Sequence, residues 1–80
     1  MILRPGLQGP YIAALQRRLN ANIAENSIPT PILTVDGQYG PATKTAVEAY
    51  QRAAGIAGIV PEAGHLDDVT RDALNLPKGA

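Results

Sequence analysis

Val35-Asp36-Gly37-Gln38-Tyr39-Gly40-Pro41-Ala42-Thr43-Lys44-Thr45-Ala46-Val47-Glu48-Ala49-Tyr50-Gln51-Arg52-Ala53-Ala54-Gly55 is the stretch whose order of breakers and apolar residues decides the fold. Asp36-Gly37 is a turn signal, because aspartate bonds the backbone just after it and glycine accepts a left-handed conformation. Gly40-Pro41 opens a helix, since proline's missing N–H falls in a first turn that has no acceptor for it. Ala42, Ala46, Val47 (or Ala49), Tyr50 and Ala54 then track one face, and Gly55 supplies the left-handed stop. The stretch predicts a helix over 41–54.

Working outward, Gly9-Pro10 repeats the opening pair. Ile12, Leu15, Gln16 and Leu19 follow it at i, i+3, i+4 and i+7, which predicts a helix over 10–21 with one buried stripe. Downstream, Asp67 is an N-cap for a short helix over 68–75, with Val69, Ala73 and Leu74 inward and Pro77 as its stop. Between the first two helices, residues 22–34 carry Pro29-Thr30-Pro31 and read as an extended surface loop tacked down by Ile28, Ile32 and Leu33. The expected fold is therefore all-α, a small three-helix bundle in a single domain over residues 1–80, with long connecting loops.

The two Gly-Pro helices also echo each other. Gln16 lies seven residues after Gly9 and Gln51 eleven after Gly40. An insertion of four residues turns a helix by about 400°, so both glutamines return to nearly the same face. This internal pseudo-repeat assigns them one job, either bonding backbone inside the fold or meeting a ligand.

Composition narrows the function. Leu, Ile and Val number nineteen of the 80 residues, enough to bury a core. Seven Lys plus Arg balance seven Asp plus Glu, which argues against nucleic acid, whose sequence-independent binding needs an excess of cations. No apolar run approaches the roughly 20 residues that span a bilayer. The start Met1-Ile2-Leu3-Arg4-Pro5-Gly6 lacks the basic and apolar regions of a signal peptide. Work outside the cytoplasm would then depend on another carrier.

Catalysis finds no support either. Cys is absent and His65 is the only His, so a three-ligand metal site is not expected, and neither is any cofactor. Ser27 lies in a loop without a nucleophile elbow. Asp36, Glu25, Glu48 and Glu62 lack the apolar surroundings that raise a carboxylic acid's pKa for glycan cleavage.

Three blocks in order carry a resemblance. They are Leu3-Arg4-x-Gly6-x-x-Gly9-Pro10-x-Ile12-x-x-Leu15-Gln16-x-x-Leu19-Asn20, then Val35-Asp36-Gly37-x-Tyr39-Gly40-Pro41-x-Thr43-x-x-Ala46-Val47-x-x-Tyr50-Gln51-x-x-x-Gly55-Ile56, and then Gly64-x-Leu66-Asp67-x-x-Thr70-x-x-Ala73-Leu74. Together they resemble the peptidoglycan-binding domain-like modules, three-helix units attached to cell-wall hydrolases and phage lysins. The loop over 22–34 is longer than in lean members, and His65-Leu66-Asp67-Asp68 replaces a second Asp-Gly turn. The resemblance implies a non-catalytic module that holds bacterial peptidoglycan, through glycan or stem peptide, while a tethered hydrolase or phage lysis or tail component acts. It places the site of action at the cell wall or periplasm.

The candidate ligand-binding residues are Asp36, Gln38, Tyr39, Thr43 and Tyr50. A helix N-terminus behind Gly40 and Pro41 presents N–H groups to a carboxylate, and Tyr39 offers a flat face with a hydroxyl. Three have a purely structural alternative: Asp36 closing its turn around Gln38, Thr43 capping or back-bonding within the first helical turn, Tyr50 packing in the core. Gln38 and Tyr39 read as turn-adjacent and exposed. Two other functions compete, a structural or adaptor protein of a phage particle or secretion machine using the same fold for protein contacts and a three-helix DNA-binding protein, the latter disfavoured by neutral charge.

Overall fold

The computed structural model describes residues 5–59 and 63–74. Three helices occupy the described residues in the order α1 (Pro10–Asn26), α2 (Pro41–Ala53) and α3 (Asp68–Leu74), and no strand is formed among them. Their buried faces enclose one core of Ile12, Leu15, Leu19, Ile23, Ile28, Leu33, Tyr39, Ala46, Val47, Ala49, Tyr50, Leu66 and Leu74. The all-α three-helix expectation holds.

Helix α1 opens at Gly9 with Pro10 in its first turn, as the sequence implies, but runs to Asn26 rather than stopping near Ala21. Ile23 extends the stripe by one turn and is buried. The helix closes where Ser27 turns left-handed, at φ 52°, and Ile28 N–H donates back to the Ile23 carbonyl at 3.1 Å. That six-to-one bond places Ile28 over Ile23, both in the core, which offsets the cost of a left-handed serine. The extended loop expected over 22–34 therefore begins only after Ser27. Within it Ile28 and Leu33 are buried, but Ile32 is 58% exposed and does not tack the loop down.

Helix α2 ends in the same manner. Gly55, at φ 76°, donates to the Arg52 carbonyl at 3.1 Å, and Ile56 N–H to the Gln51 carbonyl at 3.0 Å. Ala46, Val47, Ala49, Tyr50 and Gln51 are its buried residues; Ala42 and Ala54, expected on this face, are exposed. Asp67 caps α3, its Oδ1 accepting the Thr70 N–H at 2.9 Å. The inward face of α3 is Thr70, Arg71 and Leu74, with Val69 and Ala73 outside, so the expected register is corrected by about one position. Asn75 and Pro77, expected to end this helix, lie outside the described residues.

The segment before α1 pairs with the loop before α2. Gly6 N–H donates to the Tyr39 carbonyl (2.9 Å), Tyr39 N–H to the Leu7 carbonyl (2.8 Å) and Gly9 N–H to the Gly37 carbonyl (2.8 Å). These bonds fix the approach to α2 from one side, and Gln16 fixes it from the other.

Candidate functional site

Gln16 is 1% exposed and saturates the loop before α2. Its Oε1 accepts the Asp36 N–H at 3.0 Å and the Gly37 N–H at 2.9 Å. Its Nε2 faces Asp36 Oδ1 and the Gln38 carbonyl, both at 2.9 Å, and Thr43 Oγ1 at 3.1 Å. Two amide hydrogens shared among three acceptors leave no spare capacity for a ligand. Gln16 therefore takes the backbone-bonding alternative, holding the turn rather than reaching outward.

Asp36 closes its own turn, as one of the two readings expected: Oδ1 accepts the Gln38 N–H at 3.0 Å. The carboxyl itself is exposed. The Gln16 amide, followed by the Gln38 N–H, holds its pKa below the ordinary value of 3.8, while partial desolvation opposes them. Gly37, at φ 73°, sits so close to α1 that a Cβ would lie 3.2 Å from the Gly9 carbonyl oxygen, so conformation and space both call for glycine. Thr43 is 2% exposed, and its hydroxyl donates to the Gln38 carbonyl at 3.3 Å while receiving Gln16.

Tyr39 requires a correction. It is not an exposed platform but 1% exposed in the core, with its hydroxyl donating to the Gly64 carbonyl at 2.6 Å. Burial first, then the nearby charges of Asp67 and Glu48, push its pKa far above the usual phenol value, so it remains a donor. Tyr50 is also buried, and burial raises its pKa. Of the five candidates, Asp36 and Gln38 reach the surface together, Thr43 lies beneath them, and Tyr39 and Tyr50 belong to the framework.

The surface they reach is a groove of about 520 Å³ between residues 30–34 and the start of α2. Thr30 to Thr34 form one wall, Gly40, Pro41, Ala42 and Thr45 the other, with Gln16, Asp36, Gln38 and Thr43 between them. The first wall lies outside the five candidates, in the loop over 22–34 that is the alternative place for a ligand if Tyr39 does not bind it. Its signal was the Pro29-Thr30-Pro31 run, which announces an extended segment but not which helix it will face. Gln38 also borders two shallower depressions of about 550 and 340 Å³ shared with Gln8. Among the described residues no group of three or more His, Cys, Asp or Glu side chains could hold a metal ion. No described helix is long and apolar enough to cross a membrane.

The family model described as "Putative peptidoglycan binding domain" matches residues 8–74, from the paired segment before α1 to the last residue of α3. The chain belongs to the peptidoglycan binding domain family. No curated protein and no solved structure matches it. Membership makes this a binding domain whose site of action is related to the cell wall. Within the matched range Tyr39, Thr43 and Gln51 are buried and hold the loops, whereas Asp36 is exposed.

Proposed function

We propose that the chain retains bacterial peptidoglycan in the groove beside α2, without catalysing any change in it, and so keeps a tethered cell-wall hydrolase or a phage lysis or tail component at the wall. The observation that carries this reading is that Asp36 and Gln38, anchored from below by Gln16 and Thr43, open together into a groove walled by the first turn of α2. Asp36 and Gln38 are the contacting side chains; Thr43 supports them, and Tyr39 and Tyr50 hold the surface in shape.

Sedimentation with purified sacculi tests it. The protein pellets with the wall, and Gln38→Ala pellets less while melting at the wild-type temperature, because an exposed side chain contributes well under ~1 kcal/mol to stability. Binding falls only modestly with salt, since a neutral module gains little from counterion release and Asp36 is the one charged residue lining the groove. Recovery of all the protein in the supernatant refutes the proposal. Release of soluble wall fragments by the purified chain refutes its non-catalytic part.

A further inference from the structure

The outer wall of the groove has a backbone edge that nothing among the described residues uses. Residues 31–35 make no turn, and Leu33 alone among them is buried, with Ile32 and Thr34 exposed on either side of it. In an extended chain the N–H and C=O of one residue point to one side and those of its neighbours to the other. Asn20 on α1 occupies both backbone groups of Leu33, accepting its N–H at 2.7 Å and donating to its carbonyl at 2.9 Å. The backbone groups of Ile32 and Thr34 therefore point away from α1. No hydrogen bond reaches either residue from the described chain. Both line the groove.

We infer that this groove takes an extended peptide, the stem peptide of the wall, by strand pairing along Ile32 and Thr34. The inference rests on the proposed function and names the part of peptidoglycan that is held. Three features favour peptide over glycan. The edge offers backbone donors and acceptors at a strand repeat. The lining sets aliphatic Pro31, Ile32, Pro41 and Ala42 among threonine and amide side chains, and it contains no aromatic ring on which a sugar could stack, because Tyr39 and Tyr50 are in the core. The one charged lining residue is Asp36, whose carboxylate receives only the neutral Gln16 and Gln38 donors. A negative charge met by no cation among the described residues complements the free amine of a stem-peptide diamino acid.

The test is an amide-resolved NMR titration of the chain with a soluble stem tetrapeptide bearing that free amine, and separately with peptide-free glycan strands. The peptide shifts the Ile32 and Thr34 amides and leaves the Leu33 amide, already bonded to Asn20, in place. Thr34→Pro removes one edge donor while keeping an extended backbone, and weakens peptide binding about tenfold. Because proline could unfold the loop, Asp36→Asn supplies a second reading. It keeps the acceptor oxygen for Gln16 and Gln38, and lowers affinity for the free-amine peptide but not for the same peptide acetylated on that amine. Glycan strands shifting these amides in place of peptide overturns the inference while leaving wall binding intact. So does retention on sacculi with neither soluble ligand moving the Ile32 and Thr34 amides. Loss of sacculus binding altogether refutes the underlying function instead.

Discussion

Gln16 reaches from α1 to the loop before α2, and Gln51 reaches from α2 to the loop before α3 with the same atoms. Gln51 Oε1 accepts the Gly64 N–H, and its Nε2 donates to the His65 carbonyl and Thr70 Oγ1, each at 2.9 Å. The correspondence continues along the chain: Thr70 follows Gly64 by six residues as Thr43 follows Gly37, and both glycines have positive φ, 82° and 73°. The difference lies at the helix that each loop delivers. Asp67 closes the start of α3 with its own carboxylate, whereas Gly40 at the equivalent place before α2 has no side chain to do so. Beside α2 lies the groove, with Asp36 exposed where the second loop has Ala63. One device, used twice, makes a closed joint in one half and a surface in the other. The glutamine staples are therefore structural, and the two halves differ in the positions around them.

The largest effect expected is at Tyr39, which joins the two loops. Tyr39→Ala empties a fully buried aromatic site and should cost about 3–5 kcal/mol, as much as a core leucine. Thermal melts compare it with Tyr39→Phe, which leaves only the Gly64 carbonyl unpaired and should lose about 1–2 kcal/mol. A Tyr39→Ala protein that melts like wild type would place this residue outside the core.

Next come the staples themselves. Gln51→Ala strips partners from Gly64, His65 and Thr70 at a site that is 0% exposed, and a loss of about 3 kcal/mol is expected from leaving buried groups unpaired. Gln16→Ala should lose less, about 2 kcal/mol, because Asp36 and Gln38 lie near water that can replace the amide. Chemical denaturation of the two variants checks the order. Gln16→Ala should also release the wall, which Gln51→Ala should do only in proportion to unfolding. Equal effects on binding at matched folded fractions would erase the distinction between joint and surface.

Acid sharpens the same contrast. The Asp36 pKa is lowered in the fold, so its contribution is complete above the ordinary carboxylate value of 3.8 and is lost as pH falls through the lower folded value. Wild-type protein should therefore lose stability relative to Asp36→Asn when melts are taken between about pH 5 and 2. Parallel curves would show that the carboxylate does not support its loop.

The smallest effect is expected from making the open end resemble the closed one. Gly40 has extended backbone and no atom within 4 Å of a built Cβ, so Gly40→Asp fits. It should raise stability by only a few tenths of a kcal/mol, since glycine is already a fair cap. The bulk of a side chain at that position should nevertheless reduce sacculus retention, because Gly40 lines the groove.

The sequence by itself determined the elements and their entrances. Gly-Pro pairs, Asp36-Gly37, Asp67 and Gly55 are local signals whose physics acts within a few residues, and the structure keeps each of them. The stripe Ile12, Leu15, Gln16 and Leu19 and the pairing of Gln16 with Gln51 were legible for the same reason, since helical periodicity is a property of the chain alone. Tertiary structure decided the rest. α1 continues to Asn26 because Ile28 packs over Ile23, a contact that compensates for a left-handed Ser27 and leaves no glycine to read. Leu33 turns inward and Ile32 outward because Asn20 fixes the phase of an extended run in which the two are equally apolar. Tyr39 reads as a surface residue beside a turn, yet is buried because Gly64, twenty-five residues away, accepts its hydroxyl. The candidate site was thus half legible: Asp36 and Gln38 follow from the turn they sit in. The groove follows only from two segments brought together across the fold, and no local pattern records which faces will meet.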